Sequence, residues 1–344
     1  MHTLHPIIHK HISLKPYHTF GINVLAAGLA QFESLGQLQA LLATAEAQQF
    51  KKLLVLGGGS NVLFTQPFDG LVLKNNIDGI TVVAEDDEQV WVKAGAGVNW
   101  HALVMHAVNH GWGGIENLAL IPGCVGAGPM QNIGAYGVEL QSVFHQLEAY
   151  HLHDKTCVSF SLADCSFGYR DSVFKRALKG QFVILSVTLR LQKQPKFNVG
   201  YGAIRTQLEE MGVQELTLQA VSNAVIAIRQ SKLPDPAVLG NAGSFFKNPT
   251  VDASVFASIQ QQFSAVVGYP QANGMVKLAA GWLIEQCGLK GFRLGQAGVH
   301  GKQALVLVNH GNTTGTEVLA LSKMVIAAVQ SKFGVVLEAE VNVY

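Results

Sequence analysis

The stretch Ile121-Pro122-Gly123-Cys124-Val125-Gly126-Ala127-Gly128-Pro129-Met130-Gln131-Asn132-Ile133-Gly134-Ala135-Tyr136-Gly137 constrains this chain more than any other. It carries no charge, glycine recurs throughout it, and two prolines interrupt it. Glycine and proline weaken both helices and strands, so the stretch is neither an ordinary helix nor a core strand. Ile121, Val125, Met130 and Ile133 favour burial, which excludes a solvated linker. Two readings remain. One is an ordered backbone wrapped closely around a ligand, with Gln131, Asn132 and Tyr136 fixing its orientation. The other is a buried, glycine-rich crossing of two elements.

The rest of the composition narrows the classes. A chain of 344 residues supports two or three domains with cores of their own. Its net charge is +1 and only 14% of residues are charged, which argues against a nucleic-acid binder with a basic stripe. No run reads as a membrane span, because Gly, Pro, Asn and His break the longest uncharged stretches. Met1 to Phe20 has no apolar core of the kind a signal peptide needs. Cys124, Cys157, Cys165 and Cys287 lack CxxC spacing, and free thiols in a reducing cytoplasm fit them best. His5, His9 and His11 have no Cys or acidic ligand beside them and read as an exposed, functionally silent tail. His106 and His110 are one helical turn apart without the Glu of a zinc-protease motif, so they read as a surface or packing pair. No metal site is expected.

Along the chain, Ser34 is placed to cap a helix with Leu35, Leu38, Leu41, Leu42 and Ala45 on one face. Lys52 to Leu56 reads as a buried strand that runs into Gly57-Gly58-Gly59-Ser60-Asn61. That sequence suits a phosphate cradle or a plain tight turn, and it matches neither the P-loop nor the Rossmann spacing. Ile80 to Ala84 and Gln89 to Ala94 alternate around an acidic turn and predict a hairpin. Asn99 caps a helix that Gly111 stops. Leu147 to Phe160 predicts a second hairpin, and Phe182 to Leu191 a strong strand. Between them lies Gly168-Tyr169-Arg170-Asp171, whose arginine is poised for an anion or paired with its own aspartate.

After Pro195 the composition turns more polar, which places a domain boundary near 200. A helix carries Val221, Ala224, Val225 and Ile228 on one face. Arg229 and Lys232 share its polar face, where they would clamp a diphosphate or simply complement the helix dipole. Gly240 to Pro249 brings small residues and one hydroxyl, Ser244, near Lys247 and Asn248. The nucleophile elbow of hydrolases is absent, so hydrolase chemistry is not supported, while a hydroxyl proton donor stays open as a reading. Asp252 is expected to cap a short helix. A helix is expected over Lys277 to Gln286, and a strand over Ala304 to Asn309. Thr316 is expected to cap the last helix, and Val335 to Tyr344 reads as a strand carrying Glu338 and Glu340 on one side.

Together the motifs LGGGSNVL, IPGCVGAGPMQNIGAYGVE, GYRDSVFK, RQSKLPDP, GNAGSFFKNP, AAGWLIE and LEAEV, in that order over nearly the whole chain, resemble the UDP-N-acetylenolpyruvoylglucosamine reductases in their type I form. The resemblance implies an α+β protein. It would have a two-subdomain FAD-binding fold of the vanillyl-alcohol-oxidase (PCMH) type and a C-terminal α+β substrate-binding domain. The corresponding division is 1–80 and 81–200 for FAD, 201–334 for substrate, and 335–344 as a strand returning to the active site. Gly57, Gly58, Gly59, Ser60 and Asn61 would hold the FAD pyrophosphate. Ile121, Gly123, Gln131, Asn132, Ile133, Gly134 and Tyr136 would line the cofactor. Ser244 matches the family's proton donor, and Arg170 and Glu340 its other two active-site residues. Tyr201, Lys232 and Asn248 match substrate diphosphate contacts, and Arg229, Lys277 and Lys290 are further candidates.

The implied reaction is NADPH-dependent reduction of the enolpyruvyl group of UDP-N-acetylglucosamine enolpyruvate, giving UDP-N-acetylmuramate for peptidoglycan. It would be carried out by a cytoplasmic monomer whose partners are those small molecules, with no nucleic acid or membrane. The tail departs from the family's LEPEV-Arg at Ala339 and Asn342, which removes a possible anchor for the Glu340 strand. An oxidase of the same flavin fold would need a different cap and no GSFFKNP, and an impaired sugar-nucleotide-binding homologue would lack Ser244, Arg170 or Glu340.

Overall fold

Strand alternation and turn chemistry build most of the fold where the sequence puts it. The computed structural model describes residues 7–344, and the chain forms two compact units. Among the described residues, unit 1 comprises 7–12, 26–59 and 69–231, and unit 2 comprises 13–25, 60–68 and 232–344.

Unit 1 contains two sheets. Strands β1 (His9–Ser13), β2 (Leu25–Phe32), β3 (Leu53–Leu56) and β5 (Phe68–Asn75) lie in the order β1-β2-β5-β3, with β3 parallel to β5. Strand β4 (Val62–Leu63) belongs to unit 2. Helices α1 (Leu35–Ala43) and α2 (Ala45–Gln48) pack Leu38, Leu41 and Ala47 with Ala30, Phe32, Leu71 and Leu73. Ser34 Oγ accepts the Gln37 N–H and starts α1, as its position predicts.

The second sheet is antiparallel, in the order β11-β10-β12-β7-β6. Its strands are β6 (Ile80–Glu85), β7 (Gln89–Gly95), β10 (Phe144–His151), β11 (Cys157–Ser161) and β12 (Phe182–Gln192). Strands β8 (Gly134–Ala135) and β9 (Val138–Glu139) form a small hairpin of their own. Helix α3 (Trp100–Asn109) is capped by Asn99, and α4 (Leu162–Cys165) is a single turn. Both join α5 (Gly202–Glu210) and α6 (Leu218–Lys232) in the unit 1 core, where Trp100, Leu103, Ile204, Leu208, Val225 and Ile228 are buried. Residues 202–231 thus pack with unit 1, and the compact units divide after Ser231.

Unit 2 has strands β13 (Gly240–Ser244), β14 (Thr250–Val251), β15 (Gly268–Pro270), β16 (Val276–Leu278), β17 (Arg293–Leu294), β18 (Ala297–Val299) and β19 (Val306–Asn309). They form the sheets β13-β19-β18-β17 and β14-β16-β15. Strand β20 (Asn342–Val343) runs parallel to β4. Helices α7 (Ala253–Gln262), α8 (Ala280–Gln286) and α9 (Gly315–Phe333) share one core with Phe20, Ile22 and Leu63.

Several local expectations are corrected. His9 and His11 are exposed, as expected, but on edge strand β1 rather than in a tail without secondary structure; His5 lies outside the described residues. Lys277 sits on β16, because helix α8 begins only at Ala280. Thr314, not Thr316, caps α9: its hydroxyl accepts the Glu317 N–H while Glu317 reaches back to the Thr314 N–H, a closed capping box. Asp252 occupies the cap position of α7 but makes no capping hydrogen bond with its side chain. The tail is extended from Val335 onward, yet only Asn342–Val343 is paired as a strand, with one isolated bridge between Ala339 and Phe246.

Candidate active site

In unit 1 the two glycine stretches meet. Strand β3 delivers Gly57 and Gly58 against Gly123 and Cys124. A Cβ on Gly58 would lie 2.7 Å from the Gly123 Cα, and one on Gly57 would lie 3.3 Å from the Cys124 Cβ. Only glycine permits the first approach. Burial raises the Cys124 thiol pKa, while Lys74 and the Gly58 N–H oppose the shift. Gly59 follows with a φ of +62°, and Ser60 and Asn61 continue the turn.

Around the stretch that opened the sequence argument, the backbone is held by buried polar side chains. Asn132 has a φ of +45°, and its amide donates to Glu139 Oε2 at 2.9 Å and the Gly168 carbonyl at 3.1 Å. Its Oδ1 accepts the Gln141 N–H at 3.0 Å, so this side chain ties loops together. Gln131 accepts from Lys175 Nζ at 3.4 Å. Arg170 has a φ of +54°, donates from Nη2 to the Gly134 carbonyl at 2.7 Å and lies over the Tyr169 ring. Asp171, its neighbour in the chain, pairs with Arg176.

Tyr136, at a φ of +49°, meets Tyr201 edge-on, with ring centroids 5.5 Å apart. The Arg229 guanidinium lies near its phenol and favours the ionised form. Burial raises the phenol pKa and Arg229 lowers it, while Tyr201 adds to the rise. Arg229 also donates from Nε to the Leu120 carbonyl at 3.2 Å. Lys232, three residues on, is exposed at the end of α6. Ile121 and Ile133 pack at the edge of the unit 1 core.

In unit 2, Ser244 ends β13 and is partly buried. The next residue, Phe245, accepts the Glu340 N–H at 2.8 Å through its carbonyl. Ser244 and Glu340 are thus brought to neighbouring extended segments, although 96 residues separate them in the numbering of the chain. Asn61 Nδ2 donates to the Glu340 carbonyl at 3.3 Å. Both the N–H and the Nδ2 of Asn342 donate to the Asn61 carbonyl at 3.1 Å, so Asn342 supplies the anchor that the departure from LEPEV-Arg removes. Asn248 Oδ1 accepts the Ala280 N–H at 3.0 Å and starts α8, while Lys277 lies on β16 opposite Thr250. Lys290 pairs with Glu285 at 2.9 Å.

Two supports escaped the sequence reading. Asn117 is buried and donates from Nδ2 to the Tyr136 carbonyl at 3.0 Å and the Asn198 carbonyl at 2.8 Å. Asn241 shapes the approach to Ser244. Neither lies in a pattern that distinguishes a buried amide from a loop amide.

Comparison with known proteins identifies the family. Residues 26–157 match the profile of an FAD binding domain, and residues 235–344 that of the C-terminal domain of UDP-N-acetylenolpyruvoylglucosamine reductase. The chain is 51% identical over 330 residues to the UDP-N-acetylenolpyruvoylglucosamine reductase of Chromobacterium violaceum, covering 96% of each. The chain belongs to the UDP-N-acetylenolpyruvoylglucosamine reductase family. The enzyme of that name from Pseudomonas putida is 50% identical over 335 residues, covering 97% of this chain and 98% of its own. The crystal structure of a family member from Thermus caldophilus superposes with a TM-score of 0.69 at 24% identity, covering 98% of this chain and 99% of its own, and shares the fold.

The protein is an FAD-dependent oxidoreductase. Its own residues fit that cofactor: the contact of Gly58 with Gly123 is closed to any side chain, and both glycine stretches are uncharged. Among the described residues no group of His, Cys, Asp and Glu is arranged to hold a metal ion, and no helix is long and apolar enough to cross a membrane.

Proposed function

We propose that this protein reduces the enolpyruvyl group of UDP-N-acetylglucosamine enolpyruvate with NADPH to form UDP-N-acetylmuramate, a peptidoglycan precursor. The observation that carries the proposal is the pairing in unit 2 of the Ser244 segment with the Glu340 segment through the Phe245 carbonyl and the Glu340 N–H. Four free cysteines favour a reducing compartment, the cytoplasm, and the reading includes a monomer.

FAD, when bound, would supply the hydride chemistry that couples NADPH to the enolpyruvyl double bond, and Gly57 to Asn61 and Ile121 to Tyr136 would hold it. Glu340 acts on the substrate carboxylate, into which negative charge moves as the double bond is reduced, and Arg170 is the remaining active-site assignment. Glu340 shares a proton with that group, since two bare carboxylates would repel. The Ser244 hydroxyl then gives a proton to the second carbon, which completes the saturated lactyl ether. Tyr201, Lys232, Asn248, Lys277 and Lys290 are assigned to the diphosphate and its neighbours. Lys290 would have to leave Glu285 to reach a phosphate. Arg229, half-buried beside Tyr136, is a further candidate for the diphosphate.

The test is anaerobic visible spectroscopy of the purified protein. NADPH should bleach the flavin band, and the enolpyruvyl substrate should restore it. Ser244→Ala should bleach normally and recover slowly. A flavin that the substrate never reoxidises, or full recovery in Ser244→Ala, would refute the substrate and the proton-donor assignment respectively.

A further inference from the structure

We propose that Asn241 is the positioning residue that sets Ser244 in place, by building the bulge that turns its side chain to the correct face of β13. The proposal rests on the proton-donor reading of Ser244. Strand β13 is antiparallel to β19, with Gly240 opposite Asn309 and Asn241 opposite Val308. An unbroken ladder would continue to set Ser244 opposite Leu305. Instead Ser244 pairs with Val306, so one extra residue is inserted between Asn241 and Ser244. Side chains alternate along a strand, and a slip of one residue exchanges the two faces. The bulge thus presents Ser244 on the face opposite to the one a regular strand would give it, a recognised means of re-aiming a side chain.

The extra residue is accommodated by a local hydrogen bond. Asn241 Oδ1 accepts the Gly243 N–H at 2.9 Å, an Asx turn two residues long. Gly243 takes a φ of +68°, and nothing lies within 4 Å of a Cβ added there. Glycine is therefore required at 243 by its backbone angle and not by crowding.

Asn241 is itself fixed from every side. It is 2% exposed. Its Nδ2 donates to the Leu239 carbonyl at 2.8 Å and the Pro234 carbonyl at 3.2 Å. Its N–H donates to the Thr19 carbonyl at 3.1 Å, and its carbonyl accepts from Thr19 Oγ1 at 2.5 Å. With two carbonyls on one side of the amide and an N–H on the other, only one orientation of the side chain satisfies all three partners. Beyond Ser244, the Phe245 N–H returns to the Leu305 carbonyl at 2.7 Å, so the bulge is closed at both ends. Alanine at 241 would leave the Gly243 N–H and two carbonyls without these partners, and the bulge would lose the bond that defines it. Serine at 241 offers an acceptor to the same N–H through a weaker turn of the same kind.

The experiment follows the two half-reactions separately by stopped flow on the FAD-loaded enzyme. In Asn241→Ala, flavin reduction by NADPH stays near the wild-type rate. Reoxidation by the enolpyruvyl substrate slows by about tenfold or more, and Asn241→Ser recovers part of the loss. Placed in a Ser244→Ala background, Asn241→Ala adds no further loss to reoxidation, because a residue that acts through Ser244 has nothing left to position. Hydrogen exchange supplies a readout apart from turnover: the Gly243 amide loses protection in Asn241→Ala and regains it in Asn241→Ser.

Losses that multiply in the double variant, or wild-type reoxidation in Asn241→Ala while Ser244→Ala stalls, overturn the positioning role and leave the proton-donor reading standing. Wild-type reoxidation in Ser244→Ala itself overturns that reading and the proposal with it. If Asn241→Ala does not fold, Gly243→Ala takes its place with the same expected and overturning results, since its methyl meets open space and strains only the backbone angle of the bulge.

Discussion

Gly58→Ala tests whether the contact between the two glycine stretches holds the cofactor site together. The new Cβ would sit 2.7 Å from the Gly123 Cα and 3.2 Å from its carbonyl carbon. Carbon atoms in ordinary contact are about 3.5–4.0 Å apart, so the two backbones must separate by roughly 1 Å. No rotamer change relieves the clash, because the atoms struck are main chain. Forced overpacking of this kind costs about 1–3 kcal/mol. If all of that falls on the FAD-bound state, affinity drops roughly 5- to 150-fold.

Two neighbours calibrate the result. Gly57→Ala meets the Cys124 side chain at 3.3 Å, which yields by a small shift, so its loss should be smaller. Gly301→Ala meets nothing within 4 Å and should bind FAD as the wild type does. Fluorescence titration of the apoproteins with FAD measures affinity, and urea unfolding separates a folding cost from a binding cost. Equal affinity and equal unfolding midpoints for Gly58→Ala and Gly301→Ala would refute the steric argument, as would a greater loss from Gly57→Ala.

Other expectations follow from single groups. His18 is buried, holds the Ile22 carbonyl at 2.9 Å through Nε2 and leaves Nδ1 buried without a hydrogen bond; burial lowers its pKa from 6.5 against the opposing effect of that carbonyl. The unfolded chain then binds the proton more readily, so this contribution to stability is complete above about pH 6.5 and is lost as pH falls below it. Melting temperatures should drop more between about pH 7.5 and 5.5 in the wild type than in His18→Gln, and parallel curves would sink the assignment. Thr314→Ala should cost about 1 kcal/mol in urea unfolding, and Thr316→Ala only a few tenths, because Thr314 alone closes the capping box of α9. In Arg229→Met, burial acts on Tyr136 with less opposition, so the Tyr136 phenol should titrate at higher pH. Ultraviolet difference titration against Tyr136→Phe in the same background measures this, and an unchanged midpoint would exclude the pairing.

Much of the fold was legible because local chemistry and tertiary context agree. Ser34 and Asn99 cap the helices they precede, and the acidic turn after Glu85 closes the hairpin expected there. Legibility failed where two similar signals compete. Thr314 and Thr316 both precede the same apolar pattern, and only the spacing to Glu317 selects the first. It failed again where register decides, since Lys277 belongs to a three-residue strand paired on both sides, too short for alternation to declare itself. The close approach of the glycine stretches was legible because their backbone cannot serve a core strand or an ordinary helix. The amides of Asn117 and Asn241 were not, because their partners are carbonyls brought near only by the fold.

The division of the chain has a consequence for how the protein can be made. Among the described residues the chain crosses between the two units at Ile12, Leu25, Gly59, Phe68 and Ser231, and the unit 2 core takes Phe20, Ile22 and Leu63 from the two early visits. Among the described residues strand β4 pairs with β20, so this ladder of unit 2 forms only after the chain through Val343 has left the ribosome. Its early segments must wait through the synthesis of nearly all of unit 1, with their apolar side chains in the care of chaperones or of each other. An excised 232–344 fragment would lack three core side chains and the partner of its last strand, whereas a fragment that carries both early segments retains them.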